Sequence, residues 1–390
     1  MTNLEQLVQE LCPDGVEYQC LEDCCIILDN KRTPITKAAR KAGIYPYYGA
    51  NGIQDYIADY IFDGKFILVG EDGSVLTSNN TPVVNWVEGK VWVNNHAHII
   101  AEKSGTSLRY LFHYLQTVNV APLIHGNIPK FTGKDFRTLK IPHPPLEVQQ
   151  EIVRILDHFT ELTAELTAEL TARKEQYKYY SLSLINHAVD IKEVPIRSLG
   201  TWRGGCTPSM ENSAFWSDGN IPWVSSKDMK APLLVDTQDH ITQEALSQTS
   251  IKLLPKNTVA IVARSGILKH TLPVVFIPFE TTVNQDIKAL TAAQNIEPRY
   301  AYHVLNANSS NILQKTKKQG GTVDSLDIQK FMNYLVPIPP LPEQRRIVSI
   351  LDRFDALCND LTSGLPAEIA ARQKQYEYYR DKLLTFKEKL

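Results

Sequence analysis

Cysteine is sparse: six residues in 390, at 12, 20, 24, 25, 206 and 358, neither dense nor arranged as two close ligand pairs. Neither a disulfide framework nor a zinc ribbon follows from that spacing, and free thiols in a reducing compartment are expected. Long apolar runs are missing as well. No segment approaches the roughly 18 continuous apolar residues that span a bilayer. The opening MTNLEQLVQELC shows no basic stretch followed by an apolar one. Neither a membrane span nor a secretory leader is expected, and the expected location is cytoplasmic. An excess of one charge is lacking too, with 41 Lys and Arg against 43 Asp and Glu for a net charge of -2. This balance leaves a nucleic-acid partner open, because binding needs a local basic surface rather than a basic total.

Catalytic signatures are also absent. There is no G-x-x-x-x-G-K-[ST] phosphate loop. An adenine methyltransferase needs Asn or Asp before a Pro-Pro pair and an aromatic after it. The nearest strings here are His143-Pro144-Pro145-Leu146 and Ile338-Pro339-Pro340-Leu341. No compact carboxylate-lysine arrangement looks like a two-metal nuclease centre. His96 and His98 share a face if their segment is a strand, but further ligands are not evident. We expect no catalytic residue, no metal and no cofactor in this chain.

What is present is ordinary globular composition, 43% apolar and 22% charged, at a length that suits two domains. It also contains a duplication. IPHPPLEVQQEIVRILDHF at 141–159 matches VPIPPLPEQRRIVSILDRF at 336–354, a constant offset of 195. RKEQYKYY at 173–180 matches RQKQYEYY at 372–379, where the offset is 199. Four extra residues, close to one helical turn, are tolerated by a helix because the apolar face stays nearly in phase. Weaker matches precede these anchors. Tyr45-Pro46-Tyr47 sits opposite Ile221-Pro222-Trp223, Val93–His96 opposite Val283–Asp286, and Arg109-Tyr110 opposite Arg299-Tyr300. GNIPKFTGKDFRTLKIP from 126 resembles GGTVDSLDIQKFMNYLVP from 320.

The order is therefore variable domain, helix, variable domain, helix. Strands are expected at 65–70, 90–95, 257–263 and 273–279, which are rich in Val, Ile, Phe and Trp, and short helices at 107–116 and 298–307. In the repeated units the apolar positions recur at three and four. Ile152, Leu156, Phe159, Leu162, Leu166 and Leu170 form one stripe, and Ile347, Leu351, Phe354, Leu357, Leu361 and Ile369 the other. A lone helix of about 35 residues, roughly 50 Å long, would leave such a stripe wet. The economical solution is that each helix buries the other's stripe in an antiparallel coiled coil. Ser363-Gly364-Leu365-Pro366 should break or kink the second helix.

On these motifs the chain resembles the specificity subunits of type I restriction-modification systems. The resemblance covers nearly the whole length. It rests on the duplication, on Leu341-Pro342-Glu343-Gln344 and the looser Leu146-Glu147-Val148-Gln149, and on the helix starts Ile152–Asp157 and Ile347–Asp352. It implies an α+β fold of two tandem target recognition domains, at 1–145 and 191–340, with helices at 146–190 and 341–390. It also implies that each domain reads one half of an asymmetric bipartite site in double-stranded DNA. The helices would dock two modification (methyltransferase) subunits that use S-adenosylmethionine, and the complex would recruit restriction subunits that use ATP and Mg. The tetrapeptide TAEL occurs in tandem at 163–166 and 167–170. One branch of the family varies its spacer by such repeats, and four helical residues add about 6 Å against about 3.4 Å per base pair. Two other readings stay open: a non-catalytic scaffold that no longer reads DNA, and the specificity chain of a related restriction enzyme outside type I.

A reader of DNA needs cations and amides for phosphates and a few side chains for base edges. In the first domain the candidates are Lys31, Arg32, Lys37, Arg40 and Lys41, then Tyr47 and Asn51, then Asn127 and Lys130. In the second they are Arg203, Thr207, Ser226, Lys227, Arg264, Ser265, Lys269, Lys315, Lys317, Lys318 and Thr322. A solvated loop is the competing reading for each. The tyrosines at 177, 179, 180, 376, 378 and 379 fit either a partner interface or core packing.

Overall fold

The computed structural model describes residues 3–318, 323–360 and 363–389. The chain divides into two compact units, Met1–Glu165 with Ala370–Leu390, and Leu166–Ile369.

The first unit opens with α1 (Asn3–Leu11) and α2 (Leu21–Cys24). Its centre is a six-stranded sheet in the order Ile26–Ile27, Ala97–Ala101, Phe62–Gly70, Val84–Val93, Ala42–Gly49, Gly52–Ile57. Neighbours are antiparallel except that Tyr47 and Tyr48 run parallel to Trp92 and Val93. Phe66, Ile67, Leu68 and Val69 are all buried because both faces of the sheet are covered, which explains a continuous apolar run in place of alternation. On one face lie α3 (Leu108–Leu115), whose first turn is capped by Ser107 accepting from Tyr110 N, and α4 (Gly133–Thr138), capped by Thr132. The strand Tyr18–Cys20 pairs antiparallel with Lys140–Pro142, and the latter leads into α5 (Leu146–Asn186).

The second unit carries a four-stranded antiparallel sheet in the order Gly200–Gly204, Ile287–Ala292, Thr258–Val262, Val274–Ile277. A second sheet orders Asp239–Ile241, Ile221–Val224, Thr282–Val283. Its helices are α6 (Gln243–Gln248), α7 (Pro298–Ala307), α8 (Ser309–Thr316), α9 (Ile328–Asn333) and α10 (Leu341–Asn359). Lys192–Pro195 pairs antiparallel with Leu335–Ile338, as Tyr18–Cys20 does with its partner in the first unit. The helix expected at 298–307 and the strands expected in both units form. Trp223 and Val224 run parallel to Thr282 and Val283, as Tyr47 and Tyr48 do to Trp92 and Val93. Among the described residues no helix is long and apolar enough to cross a membrane.

The long helices pack together as expected, and the inner turns of each stripe are shared with a domain core. Ile152 and Leu156 join the core of the first unit with Tyr110, Leu111, Tyr376 and Leu384, and Ile347 and Leu351 join that of the second with Tyr300 and Val304. The outer turns add further helix-to-helix contacts. In the first unit Phe159 stacks on Tyr379 of α11 (Leu365–Leu383), with ring centroids 5.3 Å apart. In the second, Tyr177 and Tyr180 each lie 6.4 Å from Phe354. Leu162, Leu166, Leu170 and Ile369 are half-buried. Leu357 departs from its expected place and is 39% exposed. The buried register of α10 runs through Leu351, Asp355 and Cys358, because Asp355 is drawn inward by Arg299, 3.2 Å away. Leu361 lies outside the described residues. The break between α10 and α11 falls where Gly364 packs so closely that a Cβ would sit 2.6 Å from the Ala356 carbonyl oxygen.

Candidate nucleic-acid interface

The two units repeat one another at the level of single hydrogen bonds. In the first, Arg109 Nε and His113 Nε2 both reach Asp157 Oδ1, at 2.7 and 2.8 Å, and His113 Nδ1 lies 2.9 Å from the Tyr376 hydroxyl. In the second, Arg299 Nε and His303 Nε2 reach Asp352 Oδ1 at 3.0 and 2.7 Å, and His303 Nδ1 lies 3.2 Å from the Tyr177 hydroxyl. Burial pushes the His113 imidazole below its ordinary range, although the hydrogen bond to Asp157 works against this. Burial would raise the Asp157 carboxyl, but His113 and Arg109 outweigh it and hold the group below the usual carboxylate range. In the first unit the arrangement is therefore a neutral His113 imidazole donating from Nε2 and accepting the tyrosine proton at Nδ1. In each unit the knot fixes the short helix carrying the Arg and His to the long helix carrying the Asp.

A second repeated frame lies at one end of each sheet. In the first unit Glu71 N donates to His96 O (2.8 Å), Phe131 N to Glu71 O (2.8 Å) and Gly73 N to Pro129 O (2.9 Å). In the second, Ala263 N donates to Asp286 O (2.7 Å), Leu326 N to Ala263 O (2.9 Å) and Ser265 N to Asp324 O (3.0 Å). Asn94 and Asn284 each close the adjoining turn with their side-chain oxygen, accepting from His96 N and Asp286 N. The loops so held are irregular and polar, the usual setting for recognition residues on a rigid scaffold.

Several candidates gather at these loops. In the second unit Thr207 Oγ donates to Gln285 (2.6 Å) and Arg264 pairs with Asp286. Ser265 caps a short turn, and Lys269 and Lys318 line a groove of about 570 Å³. Lys317 reaches Asp324 (3.0 Å) and the Leu268 carbonyl, so much of its charge is satisfied internally. Ser226 is half-buried beside the Ser225–Asp228 turn, and Lys227 is exposed, 3.7 Å from Asp239. Arg203 lies on the edge strand Gly200–Gly204, and Lys315 stands over the Tyr334 ring. Thr322 lies outside the described residues. In the first unit Asn51 occupies the turn after Ala42–Gly49, whose Ala50 carbonyl lies against Gly70. Asn127 and Lys130 are exposed in the loop beside Asp72. Lys31, Lys37 and Lys41 are exposed.

Three candidates turn inward. Arg32 donates to Glu71 (2.6 Å) and to the Ala97 carbonyl (2.6 Å), because Glu71 and Asp29 need a buried counter-charge. Arg40 binds Asp55 and the Ile35 carbonyl and stacks over Tyr47, whose own ring is 1% exposed. These three build the loop rather than its outer surface. Asp29, Glu71 and His98 bring three possible ligand atoms within 4.8 Å of one another. Arg32 and Lys130 already balance the carboxylates, and the His98 ring nitrogens face Asp29 and the Phe131 carbonyl.

Sequence reasoning missed Asp72, His113, His303 and the roles of Gln149 and Gln344. Each glutamine holds a domain-helix corner. Gln149 Nε2 donates to the Gly105 and Pro144 carbonyls while Oε1 accepts from Ser107 N. Gln344 does the same with Asn295, Pro339 and Glu297 N. Their identity within the repeated motif was the available signal.

Fold and site together define a duplicated two-unit protein with one polar recognition-type loop cluster on each unit. The family described as "Type I restriction modification DNA specificity domain" matches residues 13–175 and 188–371, and the chain belongs to this family. It is 45% identical over 289 residues to the specificity subunit of the Escherichia coli type I restriction enzyme EcoR124I/EcoR124II, covering 72% of this chain and 71% of the relative. It is 35% identical to a putative type I restriction enzyme specificity subunit of Haemophilus influenzae, covering 99% and 98%. A crystal structure of the type I system S subunit from M. genitalium shares the fold, with TM-score 0.56, 14% identity and coverage of 95% and 96%. Its general role is therefore DNA recognition as a specificity subunit in a type I restriction-modification complex.

Proposed function

We propose that each unit reads one half of an asymmetric bipartite target in double-stranded DNA, with the α5 helix setting the gap between the halves. The observation that carries this reading is the repetition of one hydrogen-bonded frame, at Glu71–His96–Phe131 and at Ala263–Asp286–Leu326, under loops of unlike side chains. A shared frame with divergent loops suits two heads that dock alike on a duplex and read different bases.

The same reading gives the helices, with the exposed Tyr179 and Tyr378, to two modification subunits. Those subunits would hold S-adenosylmethionine and carry the adenine methyl transfer, and restriction subunits would supply the ATP- and Mg-dependent step. The chain itself contributes binding and orientation. The relatives named as specificity subunits of type I restriction enzymes support this assignment. Long-read mapping of N6-methyladenine in host DNA, with and without this gene, tests it. A bipartite motif with two short halves and a fixed gap, lost on deletion, is the expected result. Methylation that is unchanged on deletion, with the modification subunit expressed, would overturn the proposal.

A further inference from the structure

The repeated frame assigns equivalent positions inside the two units without any appeal to sequence likeness. Glu71 and Gly73 correspond to Ala263 and Ser265, His96 to Asp286, and Pro129 and Phe131 to Asp324 and Leu326. Between the first two lies Asp72 in one unit and Arg264 in the other. Each forms an isolated bridge to the facing loop, Asp72 with Lys130 and Arg264 with Ser325. At both places the residue is hydrogen-bonded to its opposite number. His96 Nδ1 lies 2.5 Å from Asp72 Oδ1, and Arg264 Nε lies 2.9 Å from Asp286 Oδ1.

The acidic and basic residue types are exchanged between the two units, yet the geometry of exposure is kept. The basic side chain is the outer partner in both, with His96 46% and Arg264 60% exposed, and the carboxylate is the inner one at 26% and 24%. Two opposite substitutions that preserve an outward basic group on an inward carboxylate are what a presentation device requires. A simple surface ion pair would contribute little to stability and places no such demand.

The groups left over differ. Arg264 commits Nε to Asp286, and among the described residues neither of its Nη groups has a protein acceptor. A guanidinium held this way presents two N–H groups in a fixed fork, which matches O6 and N7 of guanine on the major-groove edge. The His96 imidazole, held through Nδ1, presents only Nε2 and can make a single contact. Lys269 and Lys318 flank the Arg264 loop as compact charges suited to phosphates.

We propose that Arg264, oriented by Asp286, reads a guanine in the half-site of the second unit, and that His96, oriented by Asp72, is its single-contact counterpart in the first. Asp286 and Asp72 are positioning residues. This assignment rests on the reading that each unit recognises a half-site.

The test uses the complete complex with its modification subunits, assembled with wild-type chain, Arg264→Ala, Arg264→Lys, Asp286→Asn or Lys269→Ala. Methylation motifs are mapped on genomic DNA, and binding is measured on duplexes substituted at each position of the motif. Arg264→Ala should relax one guanine position in one half, with roughly 10- to 100-fold loss of discrimination there. The other half and the gap should be unchanged. Arg264→Lys keeps the charge without the fork and should lose discrimination similarly, Asp286→Asn should show a weaker form of the same change, and Lys269→Ala should weaken all sequences alike. If Arg264→Ala abolishes methylation, the duplex panel decides: affinity that has become insensitive to the base at one guanine supports the assignment, and an undiminished preference at every position overturns it. A motif unchanged in Arg264→Ala, or wild-type halves without guanine, also overturns it. A wild-type complex with no motif dependent on this chain removes the half-site reading itself.

Discussion

The Tyr376 hydroxyl lies 2.9 Å from His113 Nδ1, in a pocket where the imidazole is fully buried and its other nitrogen is already bonded to Asp157. The tyrosine is the proton donor that His113 Nδ1 needs, and it comes from α11, 263 residues along the chain. Closing the first unit therefore depends on a helix at the far end of the sequence. Tyr376→Phe removes the hydroxyl and strands a buried acceptor, which costs about 1–3 kcal/mol. Tyr177→Phe should cost less, because its bond to His303 is longer, at 3.2 Å. Urea unfolding of the two variants checks the order, and equal midpoints for wild type and Tyr376→Phe would refute the role.

Acid should loosen the same knot. Burial depresses the His113 pKa, so the unfolded chain takes up the proton first as pH falls through about 6.5. Stability from this site is full above that value and declines as pH drops toward the depressed folded pKa. Asp157 also titrates below its ordinary value when folded, so its contribution is lost only at lower pH, from the usual carboxylate range downward. Between pH 7 and 5 the His113 contribution is thus the one that moves. The drop in unfolding midpoint over that interval should be smaller in His113→Gln than in wild type, and an identical drop in both would show that His113 does not contribute.

Gln149 and Gln344 carry a sharper stability prediction. Each is buried and satisfies three backbone groups at the corner where domain meets helix. Leucine at either position approximates the volume but leaves two carbonyls and one N–H without partners, at about 1–3 kcal/mol for each group that water cannot reach. Gln344→Leu and Gln344→Glu should both lower stability, the second because it keeps the acceptor for Glu297 N but sets a carboxylate oxygen against the Asn295 and Pro339 carbonyls. Thermal unfolding of the two variants checks this, and a leucine variant as stable as wild type would mean that the three backbone groups do not depend on the amide.

How far these features were legible depends on the distance between partners in the chain. Asp157 and Asp352, like Gln149 and Gln344, stand out as identical letters in the repeated motif, yet Arg109 and His113 lie 48 and 44 residues from Asp157, and no local pattern announces the knot. The sheet-end frame was half visible. Val93–His96 aligned with Val283–Asp286, whereas Asp72 and Arg264 share no surrounding letters and are equated only by backbone hydrogen bonds. Arg32 illustrates the opposite limit. A cluster of positive charge at 31–41 says nothing about whether the counter-ion is a phosphate or Glu71, 39 residues away. Apolar periodicity predicted the α5 and α10 stripes, but the core of a neighbouring domain and a partner helix make the same demand on Ile152 and Ile347, so the pattern did not distinguish them.

The tandem TAEL repeats give the last prediction. Residues 163–166 and 167–170 lie within α5, with Leu166 and Leu170 half-buried and Glu165 and Glu169 exposed. Removing four residues shortens a helix by about 6 Å and rotates its C-terminal portion by only about 40°, so the buried stripe stays almost in register and the helix can still pack. About 6 Å corresponds to one or two base pairs of B-DNA at roughly 3.4 Å each. Deleting residues 167–170 should therefore leave both halves of the methylated motif intact and shorten the gap by one or two base pairs, as read by long-read methylation mapping. The polar loops of both units are untouched by the deletion, so a change in either half would mean that α5 shapes base recognition directly. An unchanged gap would mean that the spacing is set elsewhere.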